Sequence, residues 1–309
     1  MSDRSAVVIG GTGFVGATVC AVLRQRGYDV LALGRRPAPG VEVCDLLGTG
    51  TGELARRLDA HRPAVVVNAA GAVWGCTPEQ MHLLNVVLVQ RLLSALPEMR
   101  HRARLVQLGS VHEYGVQPDR VPLSETTPPN PNTPYGATKL RGTEAVLAAP
   151  VDSVVLRVTN VLGAGAPAVS LPGRVAAELA RAKASGGPAE LTLSPLRAHR
   201  DFVDARDAAD AVLRAVHADV AGEVINVGRG DPVPVRAIVD GLIELSGVPA
   251  TVVESGAQER TRSLALDWQQ ADVRKAERLL GWRPVYSLPD SLRALWESST
   301  RSQVPATKL

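Results

Sequence analysis

Three polar residues in the middle of the chain have the types and the order of an acid–base site. Tyr135 and Lys139 form a YxxxK pattern, and Ser110 precedes them at the end of a short apolar run. Residues four apart share a helix face, so the Tyr135 phenol and the Lys139 ammonium are expected to point the same way. A nearby ammonium favours the phenolate and makes a tyrosine a better acid–base group near neutral pH. The Ser110 hydroxyl could donate a hydrogen bond to a carbonyl oxygen beside Tyr135.

Each of these residues also has a plainer interpretation. Tyrosine and lysine at this spacing are common on exposed helices, and Ser110 could be a serine of a turn. Thr133 suits a helix N-cap and Pro134 suits the first helical position, which predicts a helix that begins just before Tyr135. A glycine-rich turn precedes the three residues at the start of the chain. The four features in this order are much more specific evidence for an acid–base site than any one of them.

Residues 10–16, with the sequence GGTGFVG, lie between the first apolar run and the first amphipathic segment. A turn without side chains lets a pyrophosphate approach backbone N–H groups at a helix N-terminus, and a final glycine lets the helix pack close to the sheet. The alternative is a plain tight turn, since the chain contains 28 glycines. The position between a strand and a helix favours a dinucleotide site. The residues assigned to this site are Gly10, Thr12, Gly13, Phe14, Val15 and Gly16.

The end of the second predicted strand indicates which dinucleotide binds. Proteins that bind NAD usually place an Asp or Glu there for the ribose 2′-OH, whereas this chain has Arg35 and Arg36 after Gly34. Two guanidiniums can bind a 2′-phosphate, so the pattern predicts NADP(H). The alternative is a solvated arginine pair at the start of a loop. Asp45 and Leu46, after the third strand, are then expected near the adenine.

Strand-like and helix-like segments alternate, which predicts an α/β fold with a doubly wound, Rossmann-like parallel sheet. Ser110 then falls at the carboxyl end of a strand, where open α/β sheets bind ligands. The predicted strands are 6–9, 29–33, 41–44, 64–68, 104–108, 153–158, 190–193 and 223–227. The predicted helices are 15–26, 54–61, 78–96, 134–149, 174–183, 203–217, 235–245, 271–280 and 288–298.

The predicted organisation is a dinucleotide-binding domain over 1–163, joined by about 200–228. Residues 164–199 and 229–300 are predicted to form a smaller α/β substrate-binding lobe, and 301–309 a flexible tail. The proline-rich stretch 128–134 is expected to be a rigid loop, because it is too short for a domain linker.

Composition excludes several other classes of protein. Of the 309 residues, 45% are apolar and 21% charged, with a net charge of +3 and no Lys/Arg run that would mark a nucleic-acid surface. No apolar stretch reaches the roughly 18 residues of a membrane span. The three cysteines, Cys20, Cys44 and Cys76, lack CxxC spacing, which argues against a disulfide framework and a zinc site. The sequence therefore predicts a cytoplasmic protein without metal, nucleic-acid or membrane partners.

Together these motifs resemble the extended short-chain dehydrogenase/reductase family, in its nucleotide-sugar epimerase, dehydratase and reductase branch. The resemblance covers nearly the whole chain. It is carried by Asn68-Ala69-Ala70-Gly71, Asn85, the Ser-x-x-x-Tyr-Gly pattern at 110–115, RVTNVLG at 157–163, RDFV at 200–203 and LLGWRP at 279–284. The resemblance implies that Asn68, Ala69, Ala70, Gly71 and Asn85 contact the cofactor, and that Asn160 and Arg200 contact a sugar nucleotide.

Departures from the family pattern narrow the expected reaction. Dehydratases of this family carry an Asp–Glu pair after the catalytic Ser/Thr, where this chain has Val111 and His112. Epimerases and dehydratases of the family typically retain NAD, whereas a reductase consumes its cofactor, so the arginine pair favours NADPH and net reduction. The expected function is a ketoreductase for a nucleotide-linked 4-keto-6-deoxysugar, with dTDP as the expected nucleotide, as in antibiotic deoxysugar pathways. Hydride would pass from nicotinamide C4 to the ketone, and Tyr135 would protonate the oxygen while Ser110 orients it.

Two other functions stay open, a nucleotide-sugar epimerase of the same family and a non-catalytic sensor of NADP(H). Sensors of this fold commonly lack YxxxK, which this chain keeps. His112 could be an additional acid or could simply line the substrate pocket, where Trp74 is also expected. Cys76 lacks a matched His/Asn pair, and neither a GxSxG elbow nor a P-loop pattern is present. Relatives often dimerise through their fourth and fifth helices, so a homodimer through 78–96 and 134–149 is expected.

Overall fold

The computed structural model describes residues 4–73, 75–117, 120–255 and 267–301, which form an α/β fold. The strands are β1 (Ser5–Ile9), β2 (Asp29–Gly34), β3 (Val41–Val43), β4 (Val65–Asn68), β5 (Arg104–Ser110), β6 (Ser153–Val158), β7 (Asn160–Leu162), β8 (Ala189–Leu193), β9 (His199–Asp204), β10 (Glu223–Val227), β11 (Pro232–Pro234), β12 (Ala250–Glu254) and β13 (Trp268–Gln269). The helices are α1 (Phe14–Gln25), α2 (Thr51–Ala60), α3 (Pro78–His82), α4 (Leu88–Ala95), α5 (Pro134–Ala148), α6 (Leu171–Ser185), α7 (Ala205–His217), α8 (Val235–Ser246), α9 (Arg274–Leu280) and α10 (Leu288–Arg301).

Seven parallel strands form the central sheet in the order β10-β6-β5-β4-β1-β2-β3. The central strand β4 is buried along its whole length, as its unbroken apolar run predicts. Val65 and Val67 pack into a core with α1 and α7, whereas Val66 packs into a second core with α2 and α4. Side chains therefore fill both faces of the sheet, and the predicted doubly wound fold is confirmed.

A smaller set of strands stands beside this sheet. Strand β9 pairs with β7, β11 and β13, and β8 pairs with β12. All of these strands except β13 contribute side chains to a third core, together with α6, α8 and α10. Strands β7 and β9 therefore lie outside the central sheet, whereas β10 belongs to it. The division into a cofactor domain and a substrate lobe stays a prediction.

The predicted helix over 203–217 is wrong at its first residues. Val203 lies in β9, and α7 begins only at Ala205. The Asp204 carboxylate caps α7 by accepting a hydrogen bond from the backbone N–H of Arg206 at 2.8 Å. An aspartate at this position is a typical N-cap, so it marks the change from strand to helix.

The long helix predicted over 78–96 is interrupted by a π-helical turn. Helix α3 runs into the π turn Leu83–Val87 and then into α4. The Asn85 carbonyl, in this turn, lies against α5, where a Cβ on Gly142 would come within 2.5 Å of the Asn85 oxygen. Gly142 therefore allows α5 to approach the π turn closely. No helix in the described ranges is both long and apolar enough to cross a bilayer.

Candidate active site

The glycine turn between β1 and α1 has the shape of an anion cradle. Gly10 adopts φ +81°, and a Cβ there would lie 2.7 Å from the Ala70 nitrogen. A Cβ on Gly16 would collide with the Gly10 carbonyl oxygen. Gly13 caps α1 without any side-chain hydrogen bond. The first N–H groups of α1, from Phe14 onward, are therefore left for an external acceptor such as a pyrophosphate.

The end of β2 lies against this turn. A Cβ on Gly34 would lie 2.9 Å from Thr12 Cγ2, so the backbone there passes directly beside the glycine turn. Arg35 and Arg36 follow, both exposed, and neither makes a hydrogen bond or ion pair with another residue in the described ranges. Two uncompensated guanidiniums beside an anion cradle suit a further phosphate group.

Two residues predicted near the adenine face different ways. Asp45 is exposed, and its Oδ1 accepts a hydrogen bond from the Leu47 N–H at 3.2 Å. Leu46 is buried in the core with side chains of α2 and α4. The Leu46 side chain therefore packs in the core beneath this region, while Asp45 faces solvent.

The loop after β4 forms the next wall of the cradle, and two asparagines shape it. Asn68 is buried; its Nδ2 donates to Gln107 Oε1 at 2.8 Å and its Oδ1 accepts from the Ala70 N–H at 3.2 Å. Asn85 reaches the same loop from the π turn and bonds both backbone groups of Ala72, at 3.0 and 3.1 Å. Asn85 Nδ2 also donates to Thr138 Oγ1 in α5 at 3.0 Å. Both side-chain amides are thus hydrogen bonded within the protein, to backbone and to neighbouring side chains.

The first two residues after β4, Ala69 and Ala70, lie close to the glycine turn. The Ala69 N–H donates to the Ile9 carbonyl at 3.0 Å, and the Ala70 backbone touches Gly10. Gly71 is exposed at the edge of the loop. The loop therefore contributes backbone rather than large side chains to this part of the site.

Helix α5 begins where the sequence predicts and brings Tyr135 and Lys139 to the end of β5. The Thr133 hydroxyl caps the helix by accepting from the Gly136 N–H at 3.1 Å. Lys139 is only 7% exposed, and its Nζ donates to the Leu108 carbonyl in β5. Burial lowers the pKa of Lys139 to about 8, against the opposing effect of the Glu113 carboxylate. A lysine that is charged at neutral pH but close to titration therefore lies one helical turn from Tyr135.

The first turn of α5 packs against the segment after Ser110. A Cβ on Gly136 would collide with the His112 carbonyl oxygen, so only glycine permits this approach. The Tyr135 and His112 rings meet edge to face with centroids 5.6 Å apart. Tyr135 is half-buried, which leaves part of its side chain accessible. The structure thus brings Tyr135, Lys139 and the Ser110 segment together.

Ser110 ends β5 and is 4% exposed. Its Oγ accepts a hydrogen bond from the His112 N–H at 3.3 Å, so the hydroxyl proton remains available for donation to a substrate oxygen. The Ser110 N–H donates to Glu113 Oε1 at 2.7 Å. Sequence reasoning gave Glu113 no role at this site, although the S-x-x-E spacing of a capping box was a signal.

Asn160 and Arg200, which the family resemblance places at a sugar nucleotide, lie in the smaller sheet, in β7 and β9. Asn160 Nδ2 donates to the Asp201 carbonyl and to Gln269 Oε1, both at 3.1 Å. Arg200 is buried and donates to the His199 carbonyl at 2.9 Å, and its burial lowers the pKa of the guanidinium to about 10. Trp74 lies outside the described residues.

The family of the chain follows from a comparison with known proteins. Residues 6–228 match the model of the NAD dependent epimerase/dehydratase family. The chain belongs to this family. It is 45% identical over 306 residues to the dTDP-6-deoxy-L-talose 4-dehydrogenase (NAD(P)(+)) of Kitasatospora kifunensis, with 96% of each chain covered. It is 28% identical over 337 residues to the UDP-glucose 4-epimerase of Rhizobium leguminosarum bv. trifolii, with 98% of this chain and 99% of the relative covered.

Solved structures show the same fold. The structure of RMD from Pseudomonas aeruginosa with NADPH superposes with a TM-score of 0.84 at 23% identity, covering 97% of this chain and 99% of that one. MoeE5 in complex with UDP-glucose and NAD superposes with a TM-score of 0.82 at 27% identity, covering 97% of this chain and all of the other. The predicted family, fold class and enzymatic use of a nicotinamide dinucleotide are confirmed. The roles of single residues stay predictions.

Proposed function

We propose that this chain is an NADPH-dependent ketoreductase that acts on a nucleotide-linked 4-keto-6-deoxysugar, with dTDP as the nucleotide. The observation that carries the chemistry is the contact between α5 and the end of β5, where Lys139 donates to the Leu108 carbonyl beside Ser110. The Kitasatospora relative supports the substrate, because its name gives a dTDP-linked 6-deoxyhexose and position 4.

The residues around the glycine turn fit NADP(H). Gly10 and Gly16 let the turn, the loop after β4 and α1 pack closely, since a Cβ at either position would meet backbone. The uncapped start of α1 offers N–H groups to a pyrophosphate. Arg35 and Arg36 would hold the 2′-phosphate, because no carboxylate ends β2 to repel it. When bound, the cofactor supplies the hydride that reduces the ketone.

The chain's own residues supply the proton and orient the substrate oxygen. The Ser110 hydroxyl donates a hydrogen bond to the ketone oxygen, and the Tyr135 hydroxyl gives its proton to that oxygen as negative charge develops. The Lys139 ammonium, charged below about pH 8, favours the phenolate that remains on Tyr135. The same groups serve the reverse oxidation, in which the phenolate accepts the proton of the alcohol.

The segment after Ser110 supports reduction over dehydration. Elimination of water needs an acid and a base aimed at the sugar, but Val111 is fully buried and apolar. The Glu113 carboxylate is also fully buried, and it is occupied by the Ser110 N–H and by Arg157. His112 is the one titratable side chain of residues 111–113 that is partly exposed.

The deciding experiment supplies purified protein with NADPH and a dTDP-4-keto-6-deoxyhexose, follows the loss of NADPH absorbance, and identifies the product by NMR. We expect one NADPH consumed per sugar reduced, and the reverse reaction with NADP⁺ and the reduced sugar. Interconversion of UDP-glucose and UDP-galactose without net NADPH loss would instead establish an epimerase. Tight NADPH binding without turnover of any ketosugar would establish a sensor.

We also propose a homodimer that forms through residues 78–96, which include the π turn, and residues 134–149, which include α5. Leu83 in the π turn and Leu147 in α5 are large apolar side chains left exposed. Light scattering at micromolar concentration should give twice the chain mass of 32.6 kDa. A monomeric mass would exclude this assembly.

A further inference from the structure

A charged pair lies buried directly behind Ser110. Glu113 is 0% exposed and Arg157 is 4% exposed, and Arg157 Nε donates to Glu113 Oε2 at 2.7 Å. Removing two charges from water is unfavourable, and their mutual attraction often only balances that penalty. Stability alone is therefore a weak explanation for this pair.

The other carboxylate oxygen of Glu113 reaches the catalytic strand. Oε1 accepts the Ser110 N–H at 2.7 Å, a short hydrogen bond to a charged acceptor. The Ser110 hydroxyl accepts in turn from the His112 N–H. Glu113 thus fixes the backbone from which the Ser110 hydroxyl projects.

Arg157 is held in place on its other side. Its guanidinium carbon lies 4.6 Å from the centre of the Tyr114 ring. The Tyr114 hydroxyl donates to Asn226 Oδ1 at 2.8 Å, in the edge strand β10. A continuous set of contacts therefore runs from Ser110 through the ion pair to the edge of the central sheet.

Gly109 provides the space for the Glu113 carboxylate. A Cβ at this position would lie 2.8 Å from Glu113 Oε1 and 3.0 Å from Val155 Cγ1. Glycine weakens the interior of a strand and often marks a place where another group approaches closely. The absence of a side chain at Gly109 therefore makes room for the buried Glu113 carboxylate.

We propose that Glu113 is a positioning residue: held by Arg157 and accommodated by Gly109, it sets the direction in which the Ser110 hydroxyl meets the substrate oxygen. This rests on the role proposed above for Ser110. Glu113 does not touch the substrate in this proposal, so its removal should change the rate of the chemical step and leave cofactor binding intact.

The test is a double-mutant cycle with Glu113→Gln and Ser110→Ala. Glutamine keeps the size of the side chain but loses the charge that orders it, and a misplacement of about 1 Å can cost up to about a hundredfold in rate. We expect E113Q to lower kcat by at least about tenfold, with KM for the sugar nucleotide and Kd for NADPH within about twofold of wild type. The cycle is measured at a pH well below 8, where Lys139 keeps its charge. In the S110A background, E113Q should then have little further effect, because the group that it positions is gone. An equal loss of kcat in both backgrounds would overturn the proposal.

Two further variants separate positioning from folding. E113Q leaves Arg157 buried without its partner, whereas E113Q/R157M removes both charges and should recover the Tm lost by E113Q. If the double variant recovers Tm and still has the low kcat, the loss is positional; wild-type kcat in that variant would refute the proposal. G109A keeps every charge but displaces the carboxylate, and it should reproduce the kcat loss of E113Q.

The proposed function and the role of Glu113 fail in different ways. If wild-type protein reduces no ketosugar but turns over another sugar nucleotide, the proposed function is wrong, and the same cycle run on that reaction still decides the role of Glu113. If wild-type protein reduces the ketosugar and the cycle shows independent effects, the function stands and the positioning role falls.

Discussion

The polar side chains where β5 meets α5 and those after β2 differ in how far the protein fixes them before a ligand binds. At the junction, Ser110 and Lys139 are almost completely buried and hydrogen bonded. After β2, Arg35 and Arg36 are exposed and have no partner within the described ranges. Groups that are fixed in advance stabilise a transition state without reorganising. Exposed guanidiniums without a protein partner can instead pair with an anion that binds. Substitutions at the junction should therefore change kcat, and those after β2 should change the choice of cofactor.

The strongest test of this difference is Tyr135→Phe, which removes a single hydroxyl. Loss of a general acid typically lowers the rate by about 10²- to 10⁴-fold, so kcat should fall by that factor while Kd for NADPH stays within about twofold. Steady-state kinetics and fluorescence titration with NADPH measure the two effects. Tyr28→Phe is the matched control, because the Tyr28 hydroxyl meets His217 next to the amino end of β2. A Y135F enzyme with kcat within about threefold of wild type would remove Tyr135 from proton transfer.

The next effect concerns the arginines after β2. A hydrogen bond to a charged group contributes about 1.5–3 kcal/mol, so a net loss equal to one such bond in Arg35→Ala/Arg36→Ala should lower the preference for NADPH over NADH by about tenfold to a few hundredfold. The ratio of kcat/KM for the two cofactors measures this preference. Values of kcat at saturating NADPH should hardly change. An unchanged ratio would mean that the pair is merely solvated and that another group selects the cofactor.

The pH dependence tests the buried lysine. Burial lowers the pKa of Lys139 to about 8, and the ammonium that supports the Tyr135 phenolate exists below that value. The kcat/KM for NADPH, which reports the free enzyme, should therefore fall as pH rises through about 8. Because a guanidinium stays charged, the residual activity of Lys139→Arg should lack this fall. If kcat/KM fell only near the ordinary lysine pKa, about 10.4, the effect of burial would be contradicted.

The smallest effect is expected at His112, whose ring packs on Tyr135. His112→Phe keeps an aromatic contact and removes the titratable group. If His112 only lines the pocket, kcat should change by less than about threefold, well below the loss typical of an acid–base group. A loss of a hundredfold or more would assign it an acid–base role and would favour the epimerase alternative.

The central sheet and the start of α5 can be predicted from the sequence alone. The strand β4 is one apolar run that ends at Asn68, and Thr133 with Pro134 marks the first turn of α5. These signals are local, so they can be recognised in a sequence without knowing the rest of the fold. The glycines at 10, 13 and 16 are a local signal of the same kind, because their spacing belongs to one short turn between β1 and α1.

The smaller sheet and the support behind Ser110 have no such signal. Strand β13 is two residues long, and β7 and β11 are three each, so they exist only through their pairing with β9. The burial of Glu113 depends on Arg157, 44 residues later in the chain. Interactions between distant segments of this kind carry no periodicity, and sequence reasoning therefore missed them.

The π turn between α3 and α4 limits which changes of length the chain can accept. A π turn holds one residue more than an α-helical turn, and each residue of a regular helix adds about 100° of rotation. Deleting one residue from Leu83–Val87 would close the π turn to an α-helical turn, so the faces of α3 and α4 would hardly rotate against each other. Deleting one residue from the regular helix α4 would instead rotate the parts before and after it by about 100° and move apolar residues away from the core. Among variants of this chain, single-residue deletions should therefore be tolerated better in the π turn than in α4.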